Sequence, residues 1–328
     1  MKKVLLLLVL MVLGGAAYIG YLMTSPYNGF EGEEVFVGVE RGATSRQIAG
    51  RLAAAGVVPN GWSFLLVRAV RSNEKLLAGE YHFTQPASPW TVFSRIARGD
   101  IFLMRVTVPE GYSIFDIADL FQTLGFGTKE EFLAVAREPR LIADLAPEAR
   151  SLEGYLYPDT YRVSRKTSAR ELAEVMTSRF RETWKSLGTN EPVHRTVTMA
   201  SLVEKETGVG DERPVVASVY WNRLERGISL DCDPTVIYAA QLEGRYRGTI
   251  YRSDLLSPHP YNTYRNPGLP PGPIANPGLA SLKATLNPAD TDYIFFVAKP
   301  GNSGAHTFSK TLEEHNRAVQ VYRKGQAQ

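Results

Sequence analysis

The order of apolar and polar positions separates an apolar N-terminal segment from a body of short strands and helices. Residues 4–23 form a run without a single charge. As a helix this run would extend about 30 Å, which matches the thickness of a bilayer core. Lys2 and Lys3 precede it, so the positive-inside rule predicts a membrane anchor with a cytoplasmic N-terminus. The alternative is a cleaved signal peptide, for which residues 14–17 offer small side chains.

A pattern of a strand followed by a helix occurs twice in the body, at an offset of 69 residues. In each copy, apolar and polar residues alternate, a glycine turn follows, and apolar residues then recur at helical spacing. Thr44 and Ser113 are the predicted N-caps, and Gly56 and Gly125 stand where a left-handed C-cap belongs. The copies are consistent with a duplicated binding module or with two βα elements of one α+β domain.

The remaining pattern predicts a compact first part and a mainly helical second part. Residues 35–108 are predicted to form strand–helix–helix–strand–helix–strand, and residues 24–34 before them a short polar linker. Beyond residue 127 helical spacing dominates, with a buried strand predicted at residues 291–299. Residues 257–278 contain seven prolines, and a loop of that length is usually a lid or a binding loop. The fold class that we expect is therefore α+β.

The composition is that of a folded protein with about two domains. The chain has 328 residues, 44% of them hydrophobic, and a net charge of +3, to which Lys2 and Lys3 contribute. The nearly neutral body lacks the basic surface that neutralises phosphates, so we expect no nucleic-acid partner. Cys232 is the single cysteine, which excludes an internal disulfide and a Cys-based zinc cluster. His306 and His315 lack the spacing of a metal motif, so we expect no metal and no cofactor.

One predicted helix carries the sharpest candidate for chemistry. Its apolar face has the spacing i, i+3, i+4 and i+7 and ends in a carboxyl group, through Met199, Leu202, Val203 and Glu206. Desolvation on such a face raises the pKa of Glu206, and a general acid needs a raised pKa to keep its proton near neutral pH. Glu204 points to the opposite side of the helix. The alternative is that Glu206 only pairs with a cation such as Arg213.

Other candidates have weaker support. Ser201 and Lys205 have the spacing of a nucleophile pair, but Lys205 has no apolar neighbours on its face that would lower its pKa. Asp233, which precedes a proline, is more typical of a helix N-cap than of a catalytic acid. Residues 152–161 and 261–264 combine aromatic side chains with carboxyl, amide and hydroxyl groups. Such segments occur in carbohydrate grooves and equally in aromatic cores.

Seven sequence strings resemble, in family order, those of the endolytic murein transglycosylases, also called the MltG or YceG-like family. They extend from Glu153 to about Asn316 and are EGYLYPDTY, MASLVEKET, ASVYWNRL, DPTVIYA, PYNTYRNPGLPPGPIANPG, SLKATLNP and HTF. The resemblance implies a transmembrane helix, a LysM-like α/β module with a connecting βα unit, and a larger mixed α+β catalytic domain. We expect the helix, linker, module and catalytic domain at residues 1–23, 24–34, 35–126 and 127–328, respectively.

The resemblance implies a single-pass enzyme of the bacterial inner membrane, with a cytoplasmic N-terminus and a periplasmic catalytic domain. It would cut nascent peptidoglycan strands internally, between N-acetylmuramic acid and N-acetylglucosamine, leave a 1,6-anhydro end and limit strand elongation. The family's catalytic glutamate matches Glu206, which the helical face also selects. Motif match and chemistry predict four glycan-binding residues: Glu153, Asn222, Tyr261 and Asn262. The implied partners are peptidoglycan strands, the plasma membrane and peptidoglycan synthases (penicillin-binding proteins).

The expected mechanism uses one carboxyl group twice. Glu206 protonates the leaving glycosidic oxygen and then accepts the proton of the muramic acid C6 hydroxyl, which attacks within the same sugar. Because this nucleophile is tethered, no second carboxylate is needed to activate a water. Two other classes of function stay open. One is a non-catalytic wall-binding scaffold, and the other is a muramidase-type glycoside hydrolase whose second carboxylate is Asp211, Asp231 or Asp233.

Overall fold

The structure is a computed structural model that describes residues 2–301 and 304–326. Met1 and residues 327–328, the outer ends of the expected anchor and catalytic domain, lie outside this described part. Helices and short strands alternate along the chain, which confirms the predicted α+β class. The chain forms two compact units that divide after Met104.

The first unit contains an antiparallel pair of strands with helices around it. Its elements are α1 (Lys2–Thr24), β1 (Val35–Val39), α2 (Ser45–Ala54), α3 (Gly61–Val70), β2 (Gly79–Phe83) and α4 (Pro89–Arg98). Val37 of β1 lies opposite Tyr81 of β2, and both side chains are buried. Thr44 accepts a hydrogen bond from the first turn of α2, which confirms this predicted N-cap, and Ser88 caps α4 in the same way.

Backbone hydrogen bonds join the predicted linker between α1 and β1 to the rest of the first unit. Met23, in the last turn of α1, is buried in the core of this unit. The backbones of Tyr27 and Ala87 exchange two hydrogen bonds of 3.1 Å, and the Gly29 amide donates to the Gly56 carbonyl at 2.9 Å. Gly56 has the predicted left-handed conformation (φ 68°), and a side chain there would collide with the Gly29 backbone. This segment is therefore not a free tether.

The α1 helix is long and apolar enough to cross a membrane. Apart from Met23, the apolar residues of this helix are not buried against the protein, so the helix extends away from the rest of the first unit. A signal sequence near an N-terminus has the same length and composition. The helix is therefore a candidate anchor, and its orientation in a membrane stays a prediction.

The second unit is larger and mainly helical, and β3 begins at the boundary. Its elements are β3 (Met104–Thr107), α5 (Ile114–Thr123), α6 (Lys129–Ala136), β4 (Thr160–Val163), α7 (Ala169–Ser186), α8 (Val193–Glu206), α9 (Arg213–Glu225), α10 (Asp233–Leu242), α11 (Arg252–Leu255), α12 (Leu279–Leu286), β5 (Phe295–Ala298), β6 (His306–Ser309) and α13 (Leu312–Gln326). Single 3₁₀ turns lie at Pro139–Leu141 and Gly210–Glu212. Strand β3 pairs with β4, and β5 pairs antiparallel with β6.

The two compact units divide after Met104, and the domain boundary expected after residue 126 stays a prediction. Ile117 and Phe121 of α5 are buried in a core that also contains Tyr155 and Phe180, so α5 packs with the second unit. The helices of the two strand–helix copies therefore lie in different compact units. The two similar sequence patterns form similar local elements. Each copy, however, packs against different segments of the chain.

A second core cluster of this unit lies beneath the candidate site. It joins α8, α9 and α10 through fully or almost fully buried side chains, among them Met199, Tyr220 and Tyr238. The strand predicted as buried at residues 291–299 is shorter, and all of β5 is only half-buried. Its side chains line an open cavity on one side, which is why they are not fully covered.

Candidate active site

Helix α8 places Glu206 at the edge of the core. Met199, Leu202 and Val203, the apolar face that the spacing predicted, are fully buried. The helix ends because Thr207 has an extended backbone (φ −137°, ψ 131°). Glu206 is thus the last helical residue, with a backbone fixed by the helix and a side chain that is only partly exposed.

The carboxyl group of Glu206 lies beside two buried polar side chains. The Cys232 thiol donates a hydrogen bond to Oε1 at 3.2 Å, and the hydroxyl of Tyr220 in α9 lies nearby. Burial raises the pKa of Glu206 above its usual range, and the charge of Asp233 acts in the same direction. Cys232, Tyr220 and the charge of His306 oppose this increase without cancelling it. The shift has the direction that a general acid needs.

Glu206 opens into a cavity of about 580 Å³. This size is within the range of small-molecule sites. Strands β5 and β6 form part of its wall, and Asp231 and Asp233 form another part. The lining side chains include carboxyl, imidazole, guanidinium and aromatic groups, in particular Glu206, Arg223, Asp231, Asp233, Tyr264, Phe296, His306 and His315. Aromatic rings together with polar groups can hold a sugar, because rings stack on its faces and polar groups bind its hydroxyls.

Two aspartates share this cavity with Glu206. The Tyr264 hydroxyl donates to Asp233 at 2.7 Å. Asp233 is the first residue of α10 and its carboxyl does not cap that helix, so the predicted N-cap role is wrong. Asp231 accepts a hydrogen bond from Arg223 at 3.1 Å and has a φ of 49°, which side-chain-bearing residues rarely adopt. Both carboxylates are thus held by a defined partner at the cavity wall.

His306 in β6 also lines the cavity and is fixed by one carboxylate. Glu212 accepts a hydrogen bond from the His306 backbone amide at 2.9 Å, and its other oxygen lies 2.8 Å from Nδ1 of the ring. With Nδ1 engaged, Nε2 is the ring nitrogen that remains for a ligand in the cavity. A carboxylate on one imidazole nitrogen fixes the ring orientation and its tautomer, an arrangement that is known from catalytic histidines.

The other polar residues of α8 have structural partners. Glu204 faces away from Glu206, as predicted, and accepts hydrogen bonds from Arg213 at 3.4 Å and from the Gly278 amide at 2.9 Å. Arg213 therefore pairs with Glu204 and not with Glu206. Ser201 donates to the backbone of its own helix, and Lys205 donates to the Gly111 carbonyl. The two do not form a nucleophile pair.

Glu153, predicted to contact the glycan, lies in the core of the second unit instead. It is almost fully buried and does not line the Glu206 cavity. One carboxyl oxygen accepts from the Ile114 amide at the start of α5 (2.9 Å), and the other accepts from the Asn276 side chain (3.1 Å). In this conformation core residues enclose the side chain, and its contact with the glycan stays a prediction.

The other three predicted glycan-binding residues also lie outside the cavity lining. The Asn222 side chain donates to the carbonyls of Thr291 and Tyr293, which lead into β5. Tyr261 packs on the ring of a core tyrosine, with centroids 5.0 Å apart. Fully buried Asn262 organises its own loop and accepts a hydrogen bond from the Tyr264 amide at 3.0 Å. These residues support the walls of the cavity and do not face its interior.

Sequence reasoning identified Glu206 but did not assign a role to Tyr264, His306 or Glu212. Tyr264 and His306 lie within the strings PYNTY and HTF, so the motifs contained a signal. For Glu212 the sequence contained no such signal, because its partner His306 is distant in the chain. Among residues 2–301 and 304–326, no group of three or more His, Cys, Asp or Glu side chains is arranged to hold a metal ion.

Comparison with known proteins gives matches along most of the chain. The model of the YceG-like family matches residues 37–321. An endolytic murein transglycosylase of Bacillus subtilis (strain 168) is 32% identical over 333 residues, which cover 95% of this chain and 91% of that protein. The endolytic murein transglycosylase of Streptococcus pneumoniae (serotype 2, strain D39) is 29% identical over 358 residues, covering 95% of this chain but 63% of the longer relative.

A solved structure has a similar fold. The crystal structure of a protein described as yceG-like, from Listeria monocytogenes, superposes with a TM-score of 0.55 at 31% sequence identity. The match covers 87% of this chain and 99% of the other. Sequence and fold therefore lead to the same group of proteins.

Proposed function

The chain belongs to the YceG-like family, and from this premise we propose that it is an endolytic murein transglycosylase, a lyase that acts on peptidoglycan. Its relatives of that name align over 95% of its length. The observation that carries the proposal is the position of Glu206, which ends a buried helix and opens into a cavity. The substrate class is the glycan strand, cut between N-acetylmuramic acid and N-acetylglucosamine.

Glu206 acts first as the acid and then as the base. Its raised pKa supports protonation of the leaving glycosidic oxygen, after which the carboxylate accepts the proton of the muramic acid C6 hydroxyl. The C6 oxygen bonds to C1 as the glycosidic bond breaks, which gives the 1,6-anhydro end and a free hydroxyl on the departing sugar. His306, oriented by Glu212, and Tyr264 line the same cavity as this carboxyl group and are proposed to contact the sugar.

A second candidate is hydrolysis, and one observation favours it. Asp233 lies close enough to Glu206 to influence its pKa, so a second carboxylate is present in the cavity. A hydrolase would use that carboxylate to activate a water or to form a covalent intermediate. The Asp233 carboxylate, however, already accepts a hydrogen bond from the Tyr264 hydroxyl. This contact favours a positioning role for Asp233 and supports transglycosylation.

The test is product analysis by mass spectrometry with purified full-length protein and un-cross-linked glycan strands. Wild-type protein should release fragments with 1,6-anhydro ends, and Glu206→Gln should reduce their rate of formation by about 10²–10⁴-fold. Glu204→Gln, the same substitution two residues away, is the matched control and should retain most of the activity. Reducing ends in the wild-type products would show hydrolysis, and unchanged activity of Glu206→Gln would refute the assignment of the acid.

The N-terminal part is proposed to hold the enzyme at its substrate. In this proposal α1 is a single-pass anchor in the inner membrane, with Lys2 and Lys3 in the cytoplasm and both units outside it. The rest of the first unit is proposed to be a LysM-like module that binds glycan, and synthases of the nascent strands are proposed neighbours. A thiol-specific, membrane-impermeant reagent tests the topology: a cysteine introduced at exposed Gln85 should react in intact spheroplasts, whereas one introduced at Lys2 should not.

A further inference from the structure

The first unit exposes two tryptophans in the first turns of neighbouring helices. Trp62 in α3 is 73% exposed, and Trp90 in α4 is 39% exposed. The guanidinium of Arg71 covers part of the Trp90 ring, at 5.2 Å from its centroid. Exposing a large indole to water is unfavourable, so a pair on one unit indicates a surface that is covered by something else.

Both tryptophan-bearing helices contact the end of the candidate anchor. Helix α1 packs on α3 and α4. The chain leaving α1 pairs through Tyr27 with Ala87, and α4 begins two residues after Ala87. Since only the final turn of α1 is buried, through Met23, the helix leaves the first unit at this face. The face that carries the tryptophans is therefore the one nearest to the membrane that α1 would cross.

The anchor itself has the aromatic residues of a membrane interface at the same end. Tyr18 and Tyr21 lie in its last two turns and are exposed. Residues 4 to 21 span about 26 Å along a helix axis, so these tyrosines fall near the outer limit of a bilayer core whose inner limit follows Lys3. Tryptophan and tyrosine are enriched at this depth because their rings prefer the apolar side and their polar atoms the headgroups.

From this geometry we propose that the first turns of α3 and α4 rest in the outer headgroup region of the phospholipid bilayer, with Trp62 and Trp90 as interfacial anchors. The inference rests on the proposed membrane anchor and not on the proposed enzyme activity. Because Met23 and Tyr27 join α1 to the first unit without a free linker, inserting α1 brings this face to the bilayer surface. The first unit is then held at a fixed height above the membrane.

A glycan strand is the other ligand that exposed indoles could take, since sugar faces stack on aromatic rings. The position of the two tryptophans beside the exit of α1 favours the lipid. The experiment below distinguishes the two, because lipid-borne quenchers and added glycan act on tryptophan emission separately.

The test is fluorescence quenching of the full-length protein in vesicles of phosphatidylethanolamine and phosphatidylglycerol. Lipids brominated near the top of the acyl chain should quench the wild-type emission relative to unbrominated vesicles. Trp62→Phe should remove the larger part of the quenched emission, and Trp90→Phe a smaller part, in line with their exposure. The double variant should show almost no quenching, whereas Trp184→Phe, which changes a buried ring of the second unit, should leave the amount of quenched emission unchanged.

Membrane insertion of α1 is measured separately by resistance to extraction at alkaline pH. If the protein resists extraction but brominated lipids quench the double variant as strongly as the wild type, the proposed surface is wrong while the anchor stands. If glycan strands, and not brominated lipids, change the emission of Trp62, the surface is a glycan site. If the protein is extracted, the anchor itself fails and this inference fails with it, independently of any enzyme activity.

Discussion

Glu153 and Glu206 lie in the same unit, and burial raises the pKa of both carboxyl groups. Glu153 is enclosed, and its oxygens accept hydrogen bonds from Ile114 and Asn276. Glu206 faces a cavity on one side and the Cys232 thiol on the other. The difference shows that a raised pKa identifies a desolvated carboxyl group but not a catalytic one. Access for a substrate separates the two, and only Glu206 has it.

Removing the enclosed carboxyl group should affect stability and not chemistry. Glu153→Ala leaves the Ile114 amide and the Asn276 side chain without their acceptors, in a site that water does not reach. We expect the free energy of unfolding to fall by about 3 kcal/mol, measured by denaturant titration. Glu206→Gln should not destabilise the fold. Equal destabilisation by the two substitutions would remove the distinction between the sites.

The pH dependence of stability should be traceable to Glu153. Burial raises its pKa to about 8 in the folded protein, compared with 4.5 ordinarily, so the folded state binds the proton more tightly. The stabilisation that this group contributes to the folded state is fully present below about pH 4.5. It declines as the pH rises towards 8, by at most about 1.4 kcal/mol per pH unit. Glu153→Gln should flatten the stability curve over this range. A slope equal to that of the wild type would contradict the raised pKa.

The two histidines of the cavity should differ in their effect on activity. His306 is fixed by Glu212 with one nitrogen left for a ligand, whereas His315 stacks on Phe295, with ring centroids 5.0 Å apart. His306→Gln should lower kcat/KM about 10-fold, the equivalent of one hydrogen bond of about 1.4 kcal/mol to the reacting sugar. His315→Gln is the matched control and should have a smaller effect. The reverse order would argue against a role for His306 in contact with the glycan.

The smallest expected effect is a shift of the pH–rate profile through Cys232. Its thiol hydrogen bond lowers the pKa of Glu206, so removing it in Cys232→Ala should raise that pKa further. Activity requires protonated Glu206, hence the loss of activity at high pH should begin at a higher pH in this variant. Cys232→Ser supplies a stronger donor and should shift the same limb to lower pH. Identical profiles for both variants would show that the thiol does not act on the acid.

Local sequence pattern was sufficient wherever neighbours along the chain decide the structure. Thr44 and Ser113 cap helices as predicted, because capping needs only a side-chain oxygen and the next turn. The face of Met199, Leu202 and Val203 is buried as the period of 3.6 requires, which places Glu206 at its end. The motif strings added the family. The caps and the buried face each depend on contacts within about one or two helical turns.

Sequence alone determined the class of the fold, the candidate anchor and the candidate acid, whereas tertiary structure decided what surrounds them. Glu153 belongs to a motif that predicts a glycan contact, but its side chain is buried in the core. The Asp233 carboxylate accepts a hydrogen bond from Tyr264 instead of capping α10. Glu212 reaches His306 across almost a hundred positions of the chain, a pairing that no local period encodes. Burial and long-range partners depend on which segments pack together, and packing is a property of the whole chain.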